Sequence, residues 1–128
     1  MAGRSQVLIA SSDPEGRQAL MSVLAQCGLE PVFSSTVREA RAILAREAIR
    51  LVFCEACLAD GNFRDLLGAA ELTRARVPVV VASRLDDTTQ YLEAMRSGAF
   101  DFIARPYRRA EVEWIISNAL RKVAAAAA

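Results

Sequence analysis

The sequence predicts an α/β protein, a three-layer αβα sandwich built on a five-stranded parallel sheet. Three observations predict this class: short apolar runs alternate with longer segments of helical period, the runs lack polar alternation, and 128 residues are too few for an α/β barrel. The chain is 53% apolar, enough for one core, and no Pro/Gly/Ser-rich stretch divides it. We therefore expect a single domain over residues 1–128, with its core at about 5–123.

The first predicted unit is a strand followed by a helix. Residues 7–10 are apolar without alternation, which is typical of a strand buried on both faces. Asp13 precedes Pro14, and a capping residue before a proline suits the first helical turn. Gly28 stands where a left-handed residue commonly ends a helix. The unit therefore predicts a helix that begins at Pro14 and closes at Gly28.

The same pattern recurs four times along the chain. The further predicted strands are residues 31–34, 51–54, 77–82 and 100–104. The helices that follow them are one capped by Thr36 with Glu39 in capping-box spacing, one after the turn 60–62, one from about Asp87 to Arg96, and one from Ala110 to Val123. Crossover helices of this length make the strands parallel and place helices on both faces of the sheet. Chemistry in such a sheet lies beyond the carboxyl ends of the strands.

The composition excludes several classes of function. Sixteen basic and fifteen acidic residues leave a formal net charge of +1, which disfavours direct binding of nucleic acid. The chain has no histidine, so Ser-His and Cys-His catalysis and histidine-containing metal sites are excluded. No segment approaches the roughly 18 apolar residues of a membrane span, and three cysteines do not make a disulfide framework. We therefore expect a cytoplasmic protein without a membrane partner.

Segments at the predicted strand ends carry a resemblance to a known family. They are residues 7–14 (VLIASSDP), 51–55 (LVFCE), 58–62 (LADGN), 78–83 (PVVVAS) and 98–107 (GAFDFIARPY). With these motifs in order, the sequence resembles the receiver domains of bacterial two-component response regulators over essentially all of residues 5–123. The resemblance implies the flavodoxin/CheY-like strand order 2-1-3-4-5.

The resemblance also implies a set of site residues. In the family, an acidic pair after the first strand holds magnesium and an aspartate after the third strand accepts a phosphoryl group. A Ser/Thr after the fourth strand bonds the phosphate, and a lysine before a proline after the fifth strand neutralises it. On this sequence the acidic pair falls on Ser11 and Ser12, and the phosphoacceptor on Glu55. The hydroxyl falls on Ser83, the only position that keeps the family's residue type, and the lysine on Arg105.

These departures predict a degenerate phosphorylation site without a cofactor. Magnesium prefers anionic oxygens, and serine hydroxyls are poor replacements, so metal binding is expected to be lost or very weak. Without the metal, phosphoryl transfer to a carboxylate lacks its divalent counter-charge. Glu55 is one methylene longer than aspartate, and we interpret it as a partial mimic of an aspartyl phosphate. We expect it to form a close ion pair with Arg105 or Arg84.

Other residues near these positions have more than one interpretation. Asp13 is either the helix N-cap or a residual cation ligand. Arg84 either covers the site, adds a second cation, or is a solvated loop residue. Phe102 falls on the family's switching aromatic and, lacking a hydroxyl, is expected to pack. The resemblance further implies a cis peptide bond between Arg105 and Pro106.

The sequence therefore predicts a non-enzymatic signalling module, a degenerate receiver-like domain that acts through protein contacts without phosphorylation. The resemblance implies an interaction surface from Asp87 to Val123 for homodimerisation or for docking an output domain; the residues expected near it are Tyr91, Arg96, Phe102, Tyr107 and Arg108. Two alternatives stay open. One is a phosphorylatable receiver that uses Asp13 and Glu55, and the other is a flavodoxin-like module that binds a flavin or nucleotide.

Overall fold

Strands and helices alternate along the chain in the computed structural model, which describes residues 5–84 and 87–127. The strands in this part of the chain are β1 (Gln6–Ala10), β2 (Glu30–Ser34), β3 (Ile49–Glu55), β4 (Cys57–Leu58), β5 (Gly61–Asn62), β6 (Val79–Ser83) and β7 (Asp101–Ala104). The helices are α1 (Pro14–Gln26), α2 (Val37–Arg46), α3 (Phe63–Glu71), α4 (Thr88–Arg96) and α5 (Arg109–Ala127). All the predicted strands and helices are present.

The main sheet is parallel and has the strand order β2-β1-β3-β6-β7. In terms of the predicted strands this is the order 2-1-3-4-5, so the predicted fold class is confirmed. Helices α2, α3 and α4 pack on one face of the sheet, and α1 and α5 pack on the other. The central strands β1, β3 and β6 are therefore almost entirely buried, which explains why their apolar runs show no polar alternation.

The connection from β3 to α3 contains a feature that the sequence did not predict. Strands β4 and β5 form a small antiparallel hairpin, which pairs Cys57 with Asn62 and Leu58 with Gly61. Strands of two residues are too short to show a hydrophobic period, so the pattern carried no signal for them.

Side-chain caps confirm the predicted starts of α2 and α4. Thr36 accepts a hydrogen bond from the Glu39 N–H at 3.1 Å at the start of α2. Asp87 caps α4 by accepting from the Thr89 N–H at 2.9 Å. These bonds satisfy N–H groups that have no partner within the helix. Helix α5 begins at Arg109 and runs past its predicted end at Val123 to Ala127.

No helix in the described segments 5–84 and 87–127 combines the length and the apolar character needed to cross a membrane.

Asp60, between β4 and β5, supports the start of a neighbouring helix. Its carboxylate accepts hydrogen bonds from the backbone N–H groups of Val37 at 2.7 Å and Arg38 at 3.0 Å. These donors favour the charged form and hold the pKa of Asp60 below its ordinary value, although the side chain is exposed. The hairpin is thereby fastened to the N-terminus of α2, where the helix dipole also favours a negative charge.

The Asp60 contact predicts a pH-dependent contribution to stability. Because the pKa is lower in the folded state, the stabilisation is present above the ordinary aspartate pKa and is lost as pH falls through the folded value. Asp60→Asn is expected to lower the Tm at pH 7, and the difference from the wild type should narrow as the solution is acidified. Thermal unfolding followed by circular dichroism between pH 7 and pH 2 measures this. The exposed Glu71→Gln is the matched control, and a difference that stays constant with pH would contradict the assignment.

Candidate functional site

The sheet register brings the predicted site residues to one edge. Ala10 pairs with Cys54, Glu55 pairs with Ala82, and Ser83 pairs with Ala104 across successive parallel strands. The residues that follow β1 and β7 therefore emerge beside Glu55 and Ser83 at the carboxyl edge. This is the region where the sequence predicted the site.

Glu55 is buried, with an exposed fraction of 9%, and its carboxylate is held by serines of the β1–α1 loop. The Ser11 hydroxyl donates to Oε1 at 2.8 Å. The Ser12 hydroxyl and backbone N–H donate longer bonds to Oε2, at 3.3 and 3.5 Å. The Ser11 oxygen also accepts from the Asp13 N–H at 3.0 Å, so Ser11 joins Glu55 to the start of α1. These contacts supply donors to a carboxylate that would otherwise be costly to bury.

Asp13 has two partners of a different kind. Its carboxylate accepts from the Gly16 N–H at 3.1 Å, which confirms that Asp13 is the N-cap of α1. The same carboxylate forms an ion pair with the Arg105 guanidinium, and Glu15 lies 3.8 Å from that guanidinium. A cation from the β7–α5 loop is thereby tied to the β1–α1 loop.

The expected ion pair between Glu55 and an arginine is wrong. Arg105 pairs with Asp13, and Arg84 is an exposed residue after β6 that forms no ion pair with Glu55 in residues 5–84 and 87–127. The physical reason is that the serine donors already satisfy Glu55, whereas the buried Asp13 carboxylate presents its charge to Arg105. The interpretation of Arg84 as a cover or a second cation at Glu55 has no support in these contacts.

Gly16 leaves the space that the Asp13–Arg105 pair occupies. A β-carbon at this position would lie 2.8 Å from Asp13 Oδ2 and 2.9 Å from Arg105 Nη2. Tyr107 lies close to the same arginine. Burial raises the pKa of Tyr107, and a hydrogen bond from Arg105 partly opposes this rise. The Arg105–Pro106 peptide bond is cis, as the resemblance implied. Arg105 therefore pairs with Asp13 and also lowers the pKa of Tyr107 through its charge.

Ser83 and Phe102 are both linked to α4. The Ser83 hydroxyl donates to the side-chain oxygen of Gln90, in the first turns of α4. Phe102 packs edge-to-face against Tyr91, with ring centroids 5.7 Å apart and an interplanar angle of 88°. The prediction that Phe102 packs is confirmed.

Arg17 is a structural residue of this edge that the sequence did not reveal. Its guanidinium donates to the carbonyl oxygens of Ser11 at 2.6 Å and Ser34 at 2.9 Å, and to the Ser35 hydroxyl at 2.7 Å. The guanidinium also lies 5.4 Å from the centre of the Phe33 ring. It thereby joins the carboxyl ends of β1 and β2. Its position in a helix looks like that of an ordinary surface arginine, so no local pattern marked it.

Comparison with known proteins places these observations in a family. No protein-family model matches the chain. The response regulator protein PilR of Pseudomonas aeruginosa is 29% identical over 118 residues, which are 92% of this chain and 26% of PilR. The response regulator protein FleR of the same organism is 30% identical over 117 residues, which are 91% of this chain and 25% of FleR. The chain thus spans about a quarter of the length of these relatives.

Solved structures share the fold over nearly the whole chain. A putative response regulator from Chloroflexus aurantiacus has a TM-score of 0.84 at 19% identity, over 94% of this chain and 99% of that one. NtrX from Brucella abortus has a TM-score of 0.80 at 25% identity, over 94% of this chain and 27% of that one. The strand order, the position of the site and these relatives together define the chain as a CheY-like receiver domain of the response-regulator type.

The serine contacts predict unequal effects of two neighbouring substitutions. Ser11→Ala removes the short bond to Glu55 and the acceptor of the Asp13 N–H, both buried, and is expected to lower the free energy of unfolding by about 1–3 kcal/mol. Ser12→Ala, the matched control, removes a longer bond from an exposed side chain and is expected to cost less than about 0.5 kcal/mol. Urea unfolding of the two variants measures the difference. Equal losses would show that Ser11 does not hold Glu55 in place.

Proposed function

We propose that this receiver domain transmits a cytoplasmic signal through protein–protein contacts and does not accept a phosphoryl group. The observation that carries the proposal is the bonding of Glu55. Its carboxylate is occupied by the hydroxyls of Ser11 and Ser12, the residues that stand at the family's metal-binding positions. Hydrogen bonds from these hydroxyls lower the availability of the carboxylate as a nucleophile.

The donor set at this edge also supports the absence of a magnesium requirement. Magnesium is bound through one or two carboxylates together with waters and substrate oxygens, in near-octahedral geometry. Ser11 and Ser12 offer neutral hydroxyls, and Asp13 already serves as helix cap and partner of Arg105. Within the described residues, no three acidic, cysteine or histidine side chains form a cluster of the kind that holds a metal ion. These residues do not fit the ion, and we assign no step of the function to it.

The site is better described as two polar networks, joined by the hydrogen bond from the Asp13 N–H to Ser11, than as a mimic of the phosphorylated state. A mimic requires the Glu55 carboxylate to engage the cation at position 105. Glu55 instead bonds to the β1–α1 loop, and Arg105 bonds to Asp13 in the same loop. We propose that both networks fix one conformation of the carboxyl edge. Signalling would then depend on which proteins bind the domain and not on a chemical change at Glu55.

The surface from Asp87 to Val123 is the proposed contact region. It contains a groove of about 300 Å³ between α4, β7 and α5, lined by Tyr91, Phe102, Ala104, Arg105, Pro106, Arg108 and Glu111. Tyr91 and Leu92 are 42% and 41% exposed, so α4 presents apolar area to a partner. Arg105 belongs both to this groove and to the Asp13 ion pair, which connects the groove to the site.

Either an output domain or a second copy of the chain suits this surface. The curated relatives are about four times as long as the region they share with this chain, so in them a receiver accompanies further sequence. One structural neighbour is a beryllofluoride-activated NtrC4 receiver-domain dimer, with a TM-score of 0.82. We propose contacts of both kinds for the groove, with no direct contact to nucleic acid.

The two alternative functions have less support. A phosphorylatable receiver that uses Asp13 and Glu55 would need both carboxylates at one centre, but the Glu55 carboxylate accepts from serines and the Asp13 carboxylate pairs with Arg105. A flavodoxin-like module would need room for a flavin at the switch point, where Glu55 places a negative charge. An absorbance spectrum of the purified chain tests the second alternative, because a bound flavin absorbs visible light.

Treatment with phosphoryl donors tests the proposed function. The chain incubated with magnesium and acetyl phosphate, or with beryllofluoride, is expected to show no added mass and no change in Tm. The variant Ser11→Asp, Ser12→Asp, Glu55→Asp restores the family's residues and is expected to regain magnesium-dependent stabilisation, although Arg84 and Arg105 still limit turnover. Intact-protein mass spectrometry and thermal unfolding are the measurements. A stoichiometric phosphoryl adduct on the unmodified chain would overturn the proposal.

A further inference from the structure

A second and larger groove lies on the face of the domain that carries α2 and α3. It has a volume of about 1050 Å³ and runs between these helices over the start of β3 and the connection into β6. Its apolar lining includes Leu44, Ile49, Ala69, Leu72 and Val77. It shares only Val123 with the surface from Asp87 to Val123. An inference about this groove therefore does not depend on the proposed function.

The groove is basic although the chain is nearly neutral. Its lining includes four arginines, Arg41, Arg50, Arg64 and Arg74, against two carboxylates, Glu47 and Asp65, a difference of +2. The whole sequence carries a formal net charge of +1, so the residues outside this lining sum to −1. A positively charged rim around an apolar floor complements a ligand that is apolar on one side and acidic at its edges.

Two side chains of the groove, Arg50 and Leu72, lack partners within the described part of the chain. The Arg50 Nε–H is buried and has no hydrogen-bond partner in the described part of the chain. Such a donor is costly to bury unless an acceptor reaches it. Leu72, at the end of α3, is 89% exposed, the largest exposed fraction among the large hydrophobic residues of the described structure. Leu72 offers apolar area to a partner, and the guanidinium of Arg50, which forms no ion pair within the described residues, offers a positive charge beside it.

The rim next to Leu72 is held in a defined shape. The Thr73 hydroxyl donates to the Ala70 carbonyl oxygen at 2.6 Å and accepts from the Val77 N–H at 3.1 Å. The Arg76 N–H donates to the Thr73 carbonyl oxygen at 3.1 Å. Arg76 has a φ of 49°, a left-handed conformation that is unfavourable for a residue with a side chain and that these hydrogen bonds maintain. A rim that is already ordered loses little entropy on binding.

We propose that the groove between α2 and α3 binds an acidic amphipathic helix of a partner protein. The apolar face of that helix would lie on the floor and against Leu72, with its residues spaced at i, i+3, i+4 and i+7. Its carboxylates would pair with Arg50 and with Arg74, for which the described residues provide no ion pair. Arg41 and Arg64 already have partners, in Asp65 at 3.8 Å and Glu93 at 3.4 Å.

The exposed position of Leu72 at the rim of the groove favours a helix over a small anionic molecule as the ligand. A compound inside the groove would leave this rim side chain in water, whereas a helix lying along the groove covers it. The volume is also at the upper limit of about 1,000 Å³ for small-molecule pockets. A small amphiphile nevertheless shares the chemistry of an acidic helix, so the experiment includes one.

The probe is a synthetic helical peptide of about 18 residues, about 27 Å long, with leucines on one stripe and glutamates on the flanks. Its counterpart has lysine at every glutamate position. Nuclear magnetic resonance titration of the complete chain is expected to show shifts confined to α2, α3 and the connection into β6. The glutamate peptide is expected to bind at least about tenfold more tightly than the lysine peptide at low salt, and added salt should reduce the difference.

Variants localise the binding to the groove. Leu72→Asp and Arg50→Gln are each expected to weaken the binding of the glutamate peptide about fivefold or more, since they remove an apolar contact and a positive charge. Arg74→Gln replaces Arg50→Gln if that variant does not fold. The matched controls on α4, Leu92→Asp and Arg96→Gln, are expected to leave the affinity unchanged.

Equal binding of the lysine peptide, or shifts confined to α4, β7 and α5, would overturn the proposal. Binding of dodecanoate in the groove without binding of the glutamate peptide would also overturn it, in favour of a small amphiphile.

Discussion

The parallel pairing of β1 with β3 is the constraint on which the site depends. Both strands are buried at the centre of the sheet, and their register aligns Ala10 with Cys54. The next residues along each strand, Ser11 and Glu55, therefore emerge side by side in a region with little access to water. A carboxylate in such a place needs donors or a cation, and the adjacent hydroxyls supply the donors. Because Glu55 is bound by the serines, Arg105 pairs with Asp13. The register of β1 and β3 therefore determines the partners of both carboxylates, Glu55 and Asp13.

The two polar networks differ in what they connect. Ser11 and Ser12 hold Glu55 within the carboxyl edge, whereas the Asp13–Arg105 pair joins the start of α1 to the loop before α5. The Ser83–Gln90 bond and the Tyr91–Phe102 ring pair then fasten α4 to β6 and β7. The carboxyl edge is thus linked to the α4–β7–α5 face by hydrogen bonds, an ion pair and packing. In a receiver domain this arrangement places the site next to the surface on which a protein partner would act.

The formal charge of the chain conceals an uneven distribution. The overall value of +1 argues against a general attraction to polyanions, yet four arginines surround the apolar groove between α2 and α3. Long arginine stems can cover apolar floor while their charged ends reach the rim, so the same residues serve packing and recognition. The two faces of the domain consequently differ in character. The α4–β7–α5 face presents exposed aromatic and aliphatic groups of α4, and the α2–α3 face presents an apolar channel with a basic border.

The sequence by itself determined the class of fold, the starts of its helices and the residue types at the carboxyl edge. These features depend on local signals, such as the apolar run before Ser11 and the caps at Asp13 and Thr36, together with the motifs that carry the family resemblance. Only the tertiary structure decided that Arg105 pairs with Asp13, that Arg17 joins β1 to β2, and that Asp60 supports α2. The reason is that periodicity and capping act over a few residues of chain, whereas a charged side chain selects its partner among groups from distant loops. Side-chain spacing along the sequence does not show which of those groups the packed sheet brings within about 3 Å.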